Sequence, residues 1–151
     1  MSYNDVVQQT AVEQGMLENL MQALRNTMAW QVEGDDNSRK LSTLRFIAQS
    51  FQRHLEHLMT LEEYDGYMDL VMASGPHLSR AVQGLRQEHD RFRSAVRQIV
   101  QRLERLSAAD QDPLAGICDD LRALLEQVDA HDRRERGLWQ EAFARDGGGE
   151  G

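Results

Sequence analysis

The chain has few of the residues that interrupt helices or build sheets. Its 151 residues include two prolines, one cysteine and only 6% aromatic residues. The single cysteine, Cys118, excludes a disulfide within the chain, and scarce cysteine is typical of cytoplasmic proteins. Leu, Ala, Gln, Glu and Arg are abundant, and this composition favours helix over sheet. We therefore expect a helical protein of the cytoplasm.

The chain also lacks an excess of basic charge and any long apolar run. Its formal net charge of −8 argues against a nucleic-acid partner, because neutralising phosphates needs a basic surface. No apolar run approaches the roughly 20 residues of a membrane-spanning helix. The opening segment, MSYNDVVQQT, lacks the basic and apolar regions of a secretion signal. We therefore expect neither nucleic acid nor membrane as a partner.

Apolar residues recur at steps of three and four along four segments, which predicts four long helices. Helix A is predicted from about residue 5 to 32. Helix B follows, with Ser38 or Ser42 as its N-terminal cap, and is predicted to run to about residue 73. Pro76 and Pro113 mark the starts of helices C and D, because proline is favoured in the first turn of a helix.

The short loops between these helices imply antiparallel neighbours. The expected fold is therefore all-α, an up-down-up-down four-helix bundle. A length of 151 residues favours a single domain, here residues 1–146, followed by a flexible glycine-rich tail over 147–151. The alternative architecture is a long helical hairpin that forms a homodimer.

Four ionisable residues occupy positions where the helical pattern requires apolar side chains: Glu62, His89, His131 and Glu135. An ionisable group taken out of water must find a partner, so four of them on core positions require an explanation.

Counting from the turns places three of these residues at one height. Glu62 and His89 lie 13 and 14 residues from the turn near Gly75, and His89 and His131 each lie 21 residues from the turn near Asp110. In antiparallel helices, equal distance from a turn means equal height. The fourth residue, on helix D, is one turn away. Imidazoles and carboxylates that converge in a dry bundle interior indicate a transition-metal site.

Four further residues are candidates as metal ligands or as outer partners of the ligands. Glu13 and Glu18 lie on helix A near the height of the predicted site, and His54 and His57 precede Glu62 on helix B. For each of them, an ordinary place on the helix surface is the alternative.

Three segments resemble hemerythrin-like proteins, the HHE cation-binding domains. They are FQRHLEHLMTLEEYDGYM (51–68), LRQEHDRF (85–92) and HDRRERGLWQEAFARD (131–146), which are similar to the helix B, C and D segments of that family. The resemblance covers residues 41–146 and, more loosely, helix A. It implies a four-helix bundle that holds two non-haem irons.

The resemblance assigns roles to the four ionisable residues at core positions. Glu62 matches the helix B carboxylate, His89 the helix C histidine, and His131 with Glu135 the helix D pair. The sequence departs from the family in three places. Leu58 stands where the helix B histidine belongs, Arg93 stands where some members have a second helix C histidine, and helix A has no histidine.

The resemblance implies a non-haem iron protein that binds or reacts with a small oxidant: dioxygen, nitric oxide or peroxide. The departures leave open whether the site holds two irons, one, or none. With no metal, the bundle would act as a sensory or protein-interaction module, or as a structural dimer in which buried His–Glu pairs fix the register.

Overall fold

The computed structural model describes residues 3–32, 37–64, 67–107 and 110–148. Five α-helices and one short 3-10 helix (Pro76–Leu78) lie in these ranges, and none of the described residues forms a strand. The α-helices are α1 (Tyr3–Met28), α2 (Ser38–Tyr64), α3 (Tyr67–Ser74), α4 (Ser79–Arg105) and α5 (Gln111–Gly148). The prediction of an all-α helical bundle is confirmed. Within these ranges, no helix combines the length and the apolar character needed to cross a membrane.

The helix boundaries differ from the predicted ones. Pro76, the predicted start of helix C, begins the 3-10 helix Pro76–Leu78, and α4 starts at Ser79. Helix A ends at Met28, where the Lys40 ammonium donates hydrogen bonds to the carbonyls of Met28 and Trp30. The predicted helix B corresponds to α2 and α3, and residues 65–66 between them lie outside the described residues. Of the predicted tail, residues 147–148 belong to α5 and 149–151 lie outside the described residues.

The four long helices form a closed ring. Helix α2 packs against α1 and α4, and α5 packs against α4 and α1, while the short α3 lies against α4 and α5. Ion pairs show that neighbouring helices are antiparallel, because the residue numbers rise on one helix as they fall on the other. Two such pairs join α1 to α5 and two join α4 to α5: Glu18–Arg136, Arg25–Asp129, Glu88–Arg134 and Arg102–Asp120.

The core consists of two apolar clusters with a polar layer between them. On α4, Leu85 belongs to the smaller cluster and Phe92 to the larger one, and His89 lies between them. The same change of cluster occurs between Met59 on α2 and Met68 on α3. It also occurs on α5 between Val128 and Trp139. The bundle therefore buries its ionisable residues at one level, with apolar packing on both sides.

Candidate metal centre

The four ionisable residues that occupy core positions of the helices meet in one buried group, here called the central cluster. It comprises Glu62 of α2, His89 of α4, and His131 and Glu135 of α5. One ligand atom from each residue lies within 4.8 Å of the others. Each residue is at most 3% exposed, so the cluster is shielded from bulk water.

The distances within the central cluster follow from helix geometry. His131 and Glu135 are four residues apart and therefore share one face of α5, with His131 Nε2 lying 3.0 Å from Glu135 Oε2. His89 Nε2 reaches the same point from α4, 3.1 Å from His131 Nε2 and 3.3 Å from Glu62 Oε2. Three helices thus direct nitrogen and oxygen atoms at a common centre.

The imidazole of His89 is oriented from its outer side. Its Nδ1 lies 3.0 Å from Glu63 Oε1, and Glu63 pairs with the Arg93 guanidinium at 2.5 Å. The carboxylate can only accept a hydrogen bond, so Nδ1 donates and the lone pair of Nε2 faces the central cluster. Arg93, one of the departures from the family pattern, holds the carboxylate that orients His89.

A similar arrangement lies behind His131. Its Nδ1 is 3.6 Å from Glu88 Oε1, which is longer than a hydrogen bond, and Glu88 pairs with Arg134. Phe92 packs edge-on against the His131 ring at a centroid distance of 5.2 Å. Each histidine of the cluster is therefore backed by a carboxylate that an arginine holds. Such outer carboxylates commonly orient metal-binding histidines.

The atoms of the central cluster fit a transition-metal ion. Two imidazole Nε2 atoms face each other at 3.1 Å, an arrangement that needs a proton or a cation between them. Glu62 Oε2 and Glu135 Oε1 are buried, and neither has a hydrogen-bond partner among the described residues. The three shortest distances, 3.0, 3.1 and 3.3 Å, are what ligands around a metal at about 2.1 Å would show, whereas the widest separations, up to 4.8 Å, require the side chains to move inward when a metal binds. Two imidazoles with two carboxylates form a donor set that suits iron.

Burial and mutual charge perturb the acid–base behaviour of the cluster. Burial, and then the neighbouring Glu135 charge, raise the pKa of Glu62 well above its ordinary value. The same two causes raise the pKa of the buried Asp132 to about 7. Burial and the His131 charge lower the pKa of His89, whereas burial lowers the pKa of His131 less than the hydrogen bond to Glu135 and the charges of Glu135, Glu88 and Asp132 together raise it. Without metal, the cluster therefore retains protons that a bound cation would displace.

The four supplementary candidates lie outside the central cluster. Glu13 Oε2 is 2.8 Å from His54 Nδ1 and its Oε1 is 3.0 Å from His57 Nδ1, so these three residues meet between α1 and α2. Burial would raise the pKa of Glu13, but the two histidine contacts lower it overall. Glu18 pairs with Arg136 at the surface. His54 is eight residues before Glu62, which corresponds to about 12 Å along the helix axis.

Helix α1 buries a further polar residue, Thr10. Thr10 and Glu13 both lie between Val6 of the smaller apolar cluster and Leu17 of the larger one. Thr10 is 6% exposed, and its Oγ1 has no hydrogen-bond partner among the described residues. Glu13 contacts His54 and His57, and Glu18 contacts Arg136, so neither carboxylate joins the four residues that converge.

The sequence pattern did not identify the outer acidic residues, Glu63, Glu88 and Asp132. A signal for them exists, because each is the sequence neighbour of a residue of the central cluster: Glu62–Glu63, Glu88–His89 and His131–Asp132. An acidic residue next to a core position in the sequence is usually solvated. Its position therefore indicates a role at the site only once the core residue beside it is known to be ionisable.

Comparison with known proteins identifies one family. The family model for the hemerythrin HHE cation binding domain matches residues 6–143, a range that contains the whole central cluster and most of the chain. No curated protein and no solved structure matches the chain.

Proposed function

The chain belongs to the hemerythrin HHE cation-binding family, and we propose that its central cluster holds one iron ion at which a small oxidant reacts. The oxidant is dioxygen, nitric oxide or peroxide. The observation that carries this proposal is the convergence of two imidazoles and two carboxylates within 4.8 Å in a buried layer. A donor set of this kind suits iron, and burial limits competition from water.

The side chains around the cluster support one ion rather than two. A second ion needs further ligands on the α1 and α2 side. There α1 has no histidine in its sequence, and α2 places Leu58 within the larger apolar cluster. The nearest histidines of α2, His54 and His57, both contact Glu13. The four converging residues therefore form the coordination sphere of a single ion.

Each residue of the site has a defined task in this proposal. His89 and His131 supply nitrogen ligands, and Glu62 and Glu135 supply oxygen ligands. The Glu63–Arg93 pair keeps the His89 imidazole oriented toward the centre through the contact with Nδ1, and the Glu88–Arg134 pair places a carboxylate 3.6 Å behind Nδ1 of His131. The iron supplies the redox chemistry when it is bound.

Asp132 adds a proton-holding group beside the ligands. It is 7% exposed, and burial with the nearby Glu135 charge raises its pKa to about 7. A carboxyl with such a pKa holds or releases a proton near neutral pH, as a general acid or base requires.

The metal content of the purified protein tests the proposal. The protein is loaded anaerobically with ferrous iron, desalted and analysed for metal, with Glu18→Gln as a control because Glu18 lies in a surface ion pair. We expect about one iron per chain for both proteins. Less than about 0.3 iron per chain would favour a bundle that acts without metal, and about two would contradict the single-ion site.

A further inference from the structure

A groove on the outer surface of the bundle runs between α4 and α5, beside the central cluster. The α4–α5 groove has a volume of about 330 Å³. Its lining consists of six residues: Ala81, Gly84, Leu85, Glu88, Arg134 and Leu138. Leu85 lies one turn before His89 on α4, and Leu138 lies one turn after Glu135 on α5.

The chemistry of the α4–α5 groove favours a small uncharged molecule. Four of its six lining residues are apolar or glycine. The two charged ones, Glu88 and Arg134, pair with each other, so neither presents an uncompensated charge to an ion. A volume of about 330 Å³ greatly exceeds the roughly 30 Å³ that one water occupies in the liquid. A diatomic molecule therefore has room to pass along the groove.

The inner end of the groove lies at Glu88, next to His131 of the central cluster. Glu88 lines the groove, and its Oε1 lies 3.6 Å from Nδ1 of His131. One side chain therefore separates the groove from a residue of the cluster. Arg134, which holds Glu88, has a side chain that is 58% exposed, so the ion pair that closes the inner end faces solvent on one side.

We propose that the α4–α5 groove is the route by which a small uncharged oxidant, dioxygen or nitric oxide, reaches the central cluster, with the Glu88–Arg134 pair at its inner end. This inference rests on the proposed function. A second groove, lined by residues that include Val12, Glu13 and His57, opens elsewhere on the surface. Its residues Glu13 and His57 contact each other, and Glu13 also contacts His54, whereas Glu88 of the α4–α5 groove lies beside His131 of the central cluster, so the second groove does not serve this role.

Gly84 provides a variant that blocks the groove. A Cβ added at Gly84 would have no other atom within 4 Å, so Gly84→Leu fills the groove without a clash at the backbone. Gly116, on α5, has the same open surroundings and does not line this groove. Gly116→Leu is therefore the matched control, and leucine is a better helix former than glycine at both positions.

Two measurements test the access route. In iron-loaded protein, we expect Gly84→Leu to slow nitric oxide association at least about tenfold in stopped flow, while Gly116→Leu stays within about twofold of the wild type. In metal-free protein, xenon occupies apolar spaces. Xenon pressure should therefore shift the methyl resonances of Leu85 and Leu138 in the wild type and in Gly116→Leu, but not in Gly84→Leu.

The outcomes separate this inference from the proposed function. A wild-type association rate in iron-loaded Gly84→Leu overturns the access route alone. An absence of xenon-induced shifts at Leu85 and Leu138 in the wild type also overturns it. A failure of the wild type to take up iron overturns the proposed function, and with it the access route, at the loading step before any rate is measured.

Discussion

Replacing His131 by glutamine is expected to abolish iron binding, whereas the same replacement of His54 leaves it unchanged. His131 Nε2 lies 3.0 Å from Glu135 and 3.1 Å from His89 Nε2, at the centre of the converging atoms. Loss of an outer partner of a metal ligand typically weakens metal binding by about 10–100-fold, so loss of the ligand itself should exceed about 100-fold. Anaerobic titration with ferrous iron measures both affinities.

His54 is a suitable control because it also contacts a carboxylate, Glu13, but lies outside the central cluster. Glutamine keeps a polar side chain of comparable length at both positions. Helical circular dichroism establishes that each variant is folded before it is titrated. If His54→Gln lost iron and His131→Gln retained it, the metal would be bound between α1 and α2, and the assignment of the central cluster would be wrong.

Replacing Asp132 by asparagine is expected to stabilise the metal-free protein at alkaline pH and to have little effect in acid. The pKa of Asp132 is raised from its ordinary 3.8 to about 7, chiefly by burial and then by the Glu135 charge. Between these two values the folded protein binds a proton that the unfolded chain has released, so the free energy of unfolding falls as pH rises. Above pH 7 the free energy of unfolding is lower than in acid by roughly 4 kcal/mol.

Asparagine carries no charge at any pH and therefore avoids this loss. Urea denaturation of metal-free protein at about pH 4 and about pH 8 measures the difference, with Asp119→Asn as the control. Asp119 is 77% exposed and pairs with Arg122 on its own helix, so its replacement should change little at either pH. An equal gain at both pH values for Asp132→Asn, or the same gain for Asp119→Asn, would contradict the account.

The sequence predicted the fold and the members of the central cluster because two signals are strong in it. The apolar stripe of helix C has a clear helical period, and its residues from Val82 to Leu103 are buried as expected. The prolines near two turns gave reference points for counting. That counting placed Glu62, His89 and His131 at one level, and the structure brings them together with Glu135.

The contribution of α1 was harder to predict, because no proline marks the turn between α1 and α2. In an antiparallel pair, moving the centre of a turn by one residue moves the expected partner by two. Because of this uncertainty, the count does not distinguish Thr10, which is buried, from Glu13, which contacts His54 and His57. When no proline marks a turn, the helical period alone does not determine which residues of α1 lie at the height of the central cluster.

The outer pairs were missed for a different reason. Glu63 and Glu88 are charged residues beside a core stripe, a position where most such residues are solvated. Their roles depend on arginines located elsewhere in the fold: Arg93 lies on α4 opposite α2, and Arg134 lies on α5 opposite α4. Pairing between helices depends on side-chain rotamers as well as on helix register, so local sequence does not determine it.

The most direct test of the central claim is anomalous diffraction at the iron edge from crystals loaded with ferrous iron. We predict one iron peak per chain, at about 2.0–2.2 Å from Nε2 of His89, Nε2 of His131 and a carboxylate oxygen of each of Glu62 and Glu135. Loaded crystals with no peak at the central cluster, or with a peak only beside Glu13, His54 and His57, would contradict it.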